Sequence, residues 1–330
     1  MTLRPFRSSL IAPVLAAGLA IAAACAVAAG PVPAGDGPAS ASTQAPPVPL
    51  LWKVSDEDNS LYLLGSFHLL LPGDYPLSPD VELAFADAEK LLFELSPEEL
   101  ASPQLALQMA RAALRGDGRT LDDELGPALA GKLAEWGREN ASLLAAMGMT
   151  MDTLQRFEPW YVGILVTVSQ MMSHGFDPAL GLDAHLGGLA QAGQKPTAGL
   201  ETGPQQIAYL DGMDAAEQLQ MLEQALDQAR EGPGELLQLH AAWRAGDAQA
   251  LVDGTVAELR RDFPDLYRAI NVERNDRWLP RLEARLREDG TDDTLVVVGA
   301  MHLLGEDGVV EKLRARGYGV ERICSACASP

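Results

Sequence analysis

The chain has 330 residues, with 46 Asp and Glu against 25 Lys and Arg, a formal net charge of −21. That balance excludes nucleic acid as a partner, because affinity there depends on Lys and Arg neutralising phosphates, and it excludes docking on an anionic membrane through a basic patch. A hydrophobic content of 47% is too high for a disordered chain, and a mean hydropathy near zero is too low for a multi-span membrane protein.

The N-terminus places Arg4 and Arg7 ahead of an Ala-rich apolar stretch from Leu10 to Ala29 that ends in small residues. This is the pattern of a secretory signal peptide over residues 1–28, cleaved near Ala28. A retained membrane anchor and a lipid attached to Cys25 are the alternatives. Residues 29–49 are rich in Pro, Ala and Gly, cannot bury enough apolar surface to offset their ordering entropy, and read as a disordered tether. An exported protein is expected, periplasmic or secreted, with no transmembrane span in the mature chain. Beyond Cys25 the chain has only Cys324 and Cys327, a CxxC on a tail over 324–330. A local disulfide in an oxidising compartment is the expectation, since redox and zinc CxxC motifs need a different context.

The domain proper is expected over 50–323. It opens on two apolar runs, 50–54 and 60–65, around the polar turn Asp56-Glu57-Asp58-Asn59, a hairpin signal. An amphipathic helix follows from Pro79 after a Ser78 cap. Further strands are expected at 90–95, 196–201, 294–299 and 318–323. Between the second and third core strands (90–95 and 196–201) lies a helical insertion, about 97–180, whose most apolar part is Trp160 to Met172. The methionines at 147, 149, 151, 171 and 172 read chiefly as core filling. Helices are expected again over 204–231, 235–244, 248–263 and 266–287. Apolar strands alternating with helices predict an α/β fold: a mixed, largely parallel central sheet flanked by helices.

An imperfect repeat carries the functional signal. Gly65-Ser66-Phe67-His68-Leu69-Leu70 and Gly299-Ala300-Met301-His302-Leu303-Leu304 each follow an apolar strand. Both histidines therefore emerge just beyond a strand's carboxyl end, the edge at which open α/β sheets bind ligands. Two other strands end in carboxylates, Glu94 and Glu201. If the strands are parallel neighbours, two His and two Glu converge. Imidazole with carboxylate suits Zn²⁺, Mn²⁺, Co²⁺ or Fe²⁺, or a metal-free pair in which His activates water as a general base. Asp183, after Gly181-Leu182, is expected as a helix N-cap, with support of the site as its alternative role. His185 is a weaker candidate to reach the site. Arg274 could hold an anionic group or a Glu of the site, its planar fork being suited to carboxylate.

Together with Leu51-Trp52-Lys53-Val54, Phe93-Glu94-Leu95, Gly199-Leu200-Glu201-Thr202 and Glu273-Arg274-Asn275-Asp276-Arg277-Trp278, these motifs resemble the TraB/GumN family across residues 50–323. The resemblance implies kinship with the Tiki proteases, and a fold shared with erythromycin esterase and the haem-binding ChaN proteins. It further implies a site built on His68, His302 and Glu94, supported by Glu201, Arg274 and Asn275. In that reading His68, His302 and Glu94 hold a divalent metal, Mn²⁺ or Co²⁺ (Zn²⁺ or Fe²⁺ as variants). Glu94, Glu201 and Arg274 serve catalysis, and Asn275 and Asp183 support them. The expected function is a metal-dependent hydrolase, most simply a peptidase, acting on a peptide or small molecule. A metal-free His/Glu hydrolase and a haem or small-ligand binder are the rivals.

Overall fold

Continuous apolar runs become strands wherever both faces of the sheet are covered. In the computed structural model, which describes residues 45–328, these are β1 (Leu51–Ser55), β2 (Ser60–Ser66), β3 (Lys90–Phe93), β4 (Thr197–Gly199), β5 (Thr294–Gly299) and β6 (Gly319–Ile323). They form one six-stranded sheet in the order β4-β3-β5-β2-β1-β6. The pairs β4–β3, β3–β5 and β5–β2 are parallel; β1 runs antiparallel to both β2 and β6. Every residue of β2 and β5 is buried, as expected of strands enclosed by helices. The predicted α/β class, and the hairpin of β1 and β2, are the observed ones. The expected signal peptide, Cys25 and the tether up to residue 44 lie outside the described residues.

Helices start largely where Pro follows a polar or small residue, because Pro at the first helical position lacks an N–H that would go unbonded there anyway. This holds for α1 (Pro79–Asp87), α2 (Pro103–Ala113), α3 (Pro127–Glu139) and α4 (Pro159–Ser173). Ser78 and Ser102 add side-chain caps to α1 and α2. α4 is apolar on nearly every side and buried, with Gly163 lying against the Leu222 backbone. Met147, Met149 and Met171 are buried, and Met172 reaches the surface. No helix of the described residues is long and apolar enough to cross a membrane.

After α5 (Leu182–Ala192) and β4, the expected unbroken helix over 204–231 divides. Gly212 ends α6 (Gly203–Asp211), and Asp214 caps α7 (Ala215–Glu231) by accepting from the Glu217 N–H at 2.9 Å. α8 (Gly234–Arg244) follows, then a helical stretch from Ala248 to Asp262 that widens to a π-helix over Val252–Val256. A second π-helical stretch, Arg268–Val272, leads into α9 (Glu273–Leu286). After β5, α10 (Val309–Ala315) returns the chain to β6.

Both ends of the described chain dock on this body. Residues 45–49, read from composition as the end of a tether, are attached: Pro47 and Pro49 are buried, and the Val48 N–H donates to the Arg244 carbonyl at 2.7 Å. Cys324 and Cys327 form a disulfide, and Ser325 between them donates from its N–H and hydroxyl to Asp80.

Candidate active site

Parallel register brings four strand ends level. Ser66 of β2 stands opposite Gly299 of β5, and Phe93 of β3 opposite Val297 of β5 and Gly199 of β4. His68, Glu94, Glu201 and His302 therefore leave the same sheet edge within three residues of their strands. Beyond β4 the pairing persists, the Glu201 N–H donating to the Glu94 carbonyl at 3.0 Å. A Cβ at Gly199 would stand 2.8 Å from the Glu201 carbonyl oxygen, so only Gly admits this turn.

Three of the four residues meet around Arg274 of α9. Its Nε donates to Glu201 Oε1 at 2.9 Å and Oε2 at 3.2 Å, and its Nη2 donates to both Glu94 and Glu201. Its Nη1 donates to the Ile270 carbonyl at 3.2 Å and to His302 Nε2 at 3.0 Å. The Glu94 Oε1 accepts from the Gly299 N–H at 2.8 Å. Arg274 is 1% exposed and lies over the Trp278 ring, which itself packs on His302. Burial works against the guanidinium charge, but Glu94 and Glu201 outweigh it and hold the proton more firmly than in an ordinary Arg.

This network fixes the state of His302. The Asn275 Nδ2 donates to the Asp307 carbonyl at 2.8 Å, so its Oδ1 is the atom facing His302 Nδ1, also at 2.8 Å. Nδ1 must then carry the proton, leaving Nε2 to accept from Arg274. His302 is neutral here, and its lone pair is engaged.

His68 is different. Its Nδ1 lies 2.8 Å from Asp183 Oδ2, and Ser66 Oγ donates to Asp183 Oδ1 at 3.0 Å. Its Nε2 is buried with no hydrogen-bond partner among the described residues. Asp183 reaches it because α5 begins against the His68 turn: the Leu182 N–H donates to the Phe67 carbonyl at 3.1 Å. A Cβ at Gly181 would stand 2.0 Å from the His68 carbonyl oxygen. The N-cap of α5 is Gly181, not Asp183; the expected cap is corrected, since Asp183 commits its oxygens to His68 and Ser66. Burial lowers the His68 pKa, but the charge and hydrogen bond of Asp183, helped by Glu94, more than offset it and raise the value to about 9.

The expected metal ligands do not fit a divalent cation as arranged. Of His68, His302 and Glu94, His302 already accepts at Nε2 from Arg274, and that permanent cation also stands against Glu94 and Glu201. Among the described residues no group of three His, Cys, Asp or Glu is placed to hold a metal ion. Of the two roles open to Arg274, the structure shows the second: its donors go to the site's own carboxylates. His185 packs instead on the Tyr75 ring. Gln206 was missed: its Nε2 donates to Glu201 at 2.7 Å and Glu94 at 3.3 Å. Nothing in an isolated Gln on an amphipathic helix signals this.

A family model described as the TraB/PrgY/gumN family matches residues 50–322. The chain belongs to this family. Among curated proteins, the metalloprotease TIKI1 of Danio rerio is 25% identical over 315 residues, which is 82% of this chain. The chain spans 62% of the length of that relative. No solved structure matches. The family match thus covers every residue of both clusters, from His68 to His302.

Proposed function

We propose that this TraB/PrgY/gumN member is an exported hydrolase of peptide bonds in which His68, held by Asp183, activates the attacking water. The observation that carries the reading is the buried, unpartnered Nε2 of His68, opposite an Nδ1 committed to a carboxylate. In its neutral form, His68 takes a proton from water at Nε2, and Asp183 steadies the imidazolium that results. The same proton then passes to the leaving amine. The Arg274 cluster holds two carboxylates to one guanidinium, and the charge of Glu94 also favours the imidazolium. Peptide as substrate is supported by the metalloprotease relative. Export is supported by the disulfide and the N-terminal sequence; protein recovered outside the cytoplasm should begin near residue 29.

That relative also favours a second reading, in which Mn²⁺ or Co²⁺ is required. It demands that Arg274 release Glu94 and His302 to serve as ligands beside His68. Metal analysis and activity after chelation separate the two. The first reading expects peptide hydrolysis that survives chelation and disappears in His68→Ala. Activity lost on chelation, restored by Mn²⁺ or Co²⁺, with bound metal absent from His68→Ala and His302→Ala, would establish the second.

A further inference from the structure

The hollow at His68 does not stand alone. It is lined by Ser66, Trp243, Leu251, Thr255 and Met301 as well as His68. Leu239 and Thr255 are shared with a second hollow, bounded by Glu235, Ala242, Gly254 and Glu258. Glu235 and Gln238 are shared in turn with a third, about 720 Å³ including its open mouth, between α4, α7 and the start of α8. The three hollows therefore adjoin in a row, each sharing wall residues with the next. Their floor is a stripe of α8, Glu235, Gln238, Leu239 and Ala242, at the i, i+3, i+4, i+7 spacing of one helix face. Gly254 and Thr255 of the π-helical stretch Val252–Val256 line the second hollow as well, a local widening of the kind that recurs at functional sites.

Size and charge describe the occupant. The stripe is roughly 10 Å long at 1.5 Å per residue, a length that three or four residues of extended peptide cover. Most of the lining is apolar or uncharged. Apart from His68, the charged lining residues are Glu231, Glu235 and Glu258, and none is Lys or Arg. Glu258 is only 3% exposed, Glu235 is half-buried and Glu231 stands at the exposed mouth. Carboxylates set in low-dielectric walls attract cations and repel anions far more than they would on an open surface.

We infer that this row of hollows forms one groove, which binds extended peptide segments carrying a Lys or Arg among apolar neighbours and leads them to His68. As a substrate site the groove rests on the hydrolase reading above; as a peptide-binding site it does not. Fluorescence polarisation with labelled Ala-Leu-Lys-Ala-Leu and Ala-Leu-Glu-Ala-Leu, on the full mature chain carrying His68→Ala, measures binding without turnover. The Lys peptide should bind about tenfold more tightly at low salt, with the preference shrinking as salt rises. Glu235→Lys, at a half-exposed position, should abolish or reverse the preference, while Glu223→Lys, on an exposed face of α7, should leave it intact. Equal binding of the two peptides, binding of neither, or a preference indifferent to Glu235→Lys overturns the groove. If the Lys peptide binds as expected but the active chain cleaves no peptide, the groove stands and the hydrolase reading falls. If peptides are cleaved without charge preference, the hydrolase reading stands and the groove falls.

Discussion

His68 and His302 occupy matching motifs and have different chemistry, because each ring meets a different partner. Asp183 gives His68 a negative one; Asn275 gives His302 a neutral one. A pH profile should therefore report His68 alone. Activity is expected to climb with pH toward about 9, as the base loses its proton, and Asp183→Asn should move that limb to lower pH, since burial then acts with less opposition. Stability carries the opposite sign. A folded-state pKa above the ordinary 6.5 makes the His68 contribution fully present below pH 6.5, and lost as pH rises through about 9. Urea midpoints measured across that window should fall in the native chain and stay flatter in Asp183→Asn. Arg274→Met tests the other cluster. It would leave Glu94 and Glu201 buried without their cation, a loss of about 3–5 kcal/mol readable by denaturant unfolding. An unchanged midpoint would show that the carboxylates are satisfied by other means.

At the scale of elements, the strand that ends at residue 66 and the helix that begins at 182 are locked together through Gly181. Gly181→Ala forces the two apart, with its new methyl directed at the His68 carbonyl. Hydrolysis should drop by roughly a hundredfold if the dyad is the working unit, in line with the contribution of a positioned base, while circular dichroism keeps its native shape. The strands and the helix from Pro79 were legible in the sequence, because apolar runs and a Ser-Pro helix start are local signals. The convergence of four strand ends was legible too, as a conditional: the repeated GxxH and the two strand-end Glu implied it once parallel order was assumed. What the sequence did not reveal was how the polar residues would divide. Arg274 lies about 180 residues from Glu94 along the chain, and whether it faces solvent, substrate or those carboxylates is decided by how α9 packs. The break at Gly212 and both π-helical stretches also depend on packing that no local pattern records.

At the scale of the whole molecule, the disulfide closes so short a loop that it restricts the unfolded chain little, by about 2 kcal/mol at most. A Cys324→Ser, Cys327→Ser double variant should therefore unfold only slightly earlier and keep its activity. A larger burden falls on strand order. β5 is made last but one and lies between β3 and β2, while β6 at residue 319 closes on β1 at residue 51. Until Thr294 and its neighbours arrive, β2 and β3 have no partner on their facing edges, and the two GxxH motifs are strangers to each other. The chain has no early half that can settle by itself. Its folding must wait for nearly the whole sequence, the slow regime of long-range pairing. A fragment ending at residue 290 should keep helices and at most the separate β1–β2 and β3–β4 pairs, without the joined sheet, and aggregate through its bare strand edges.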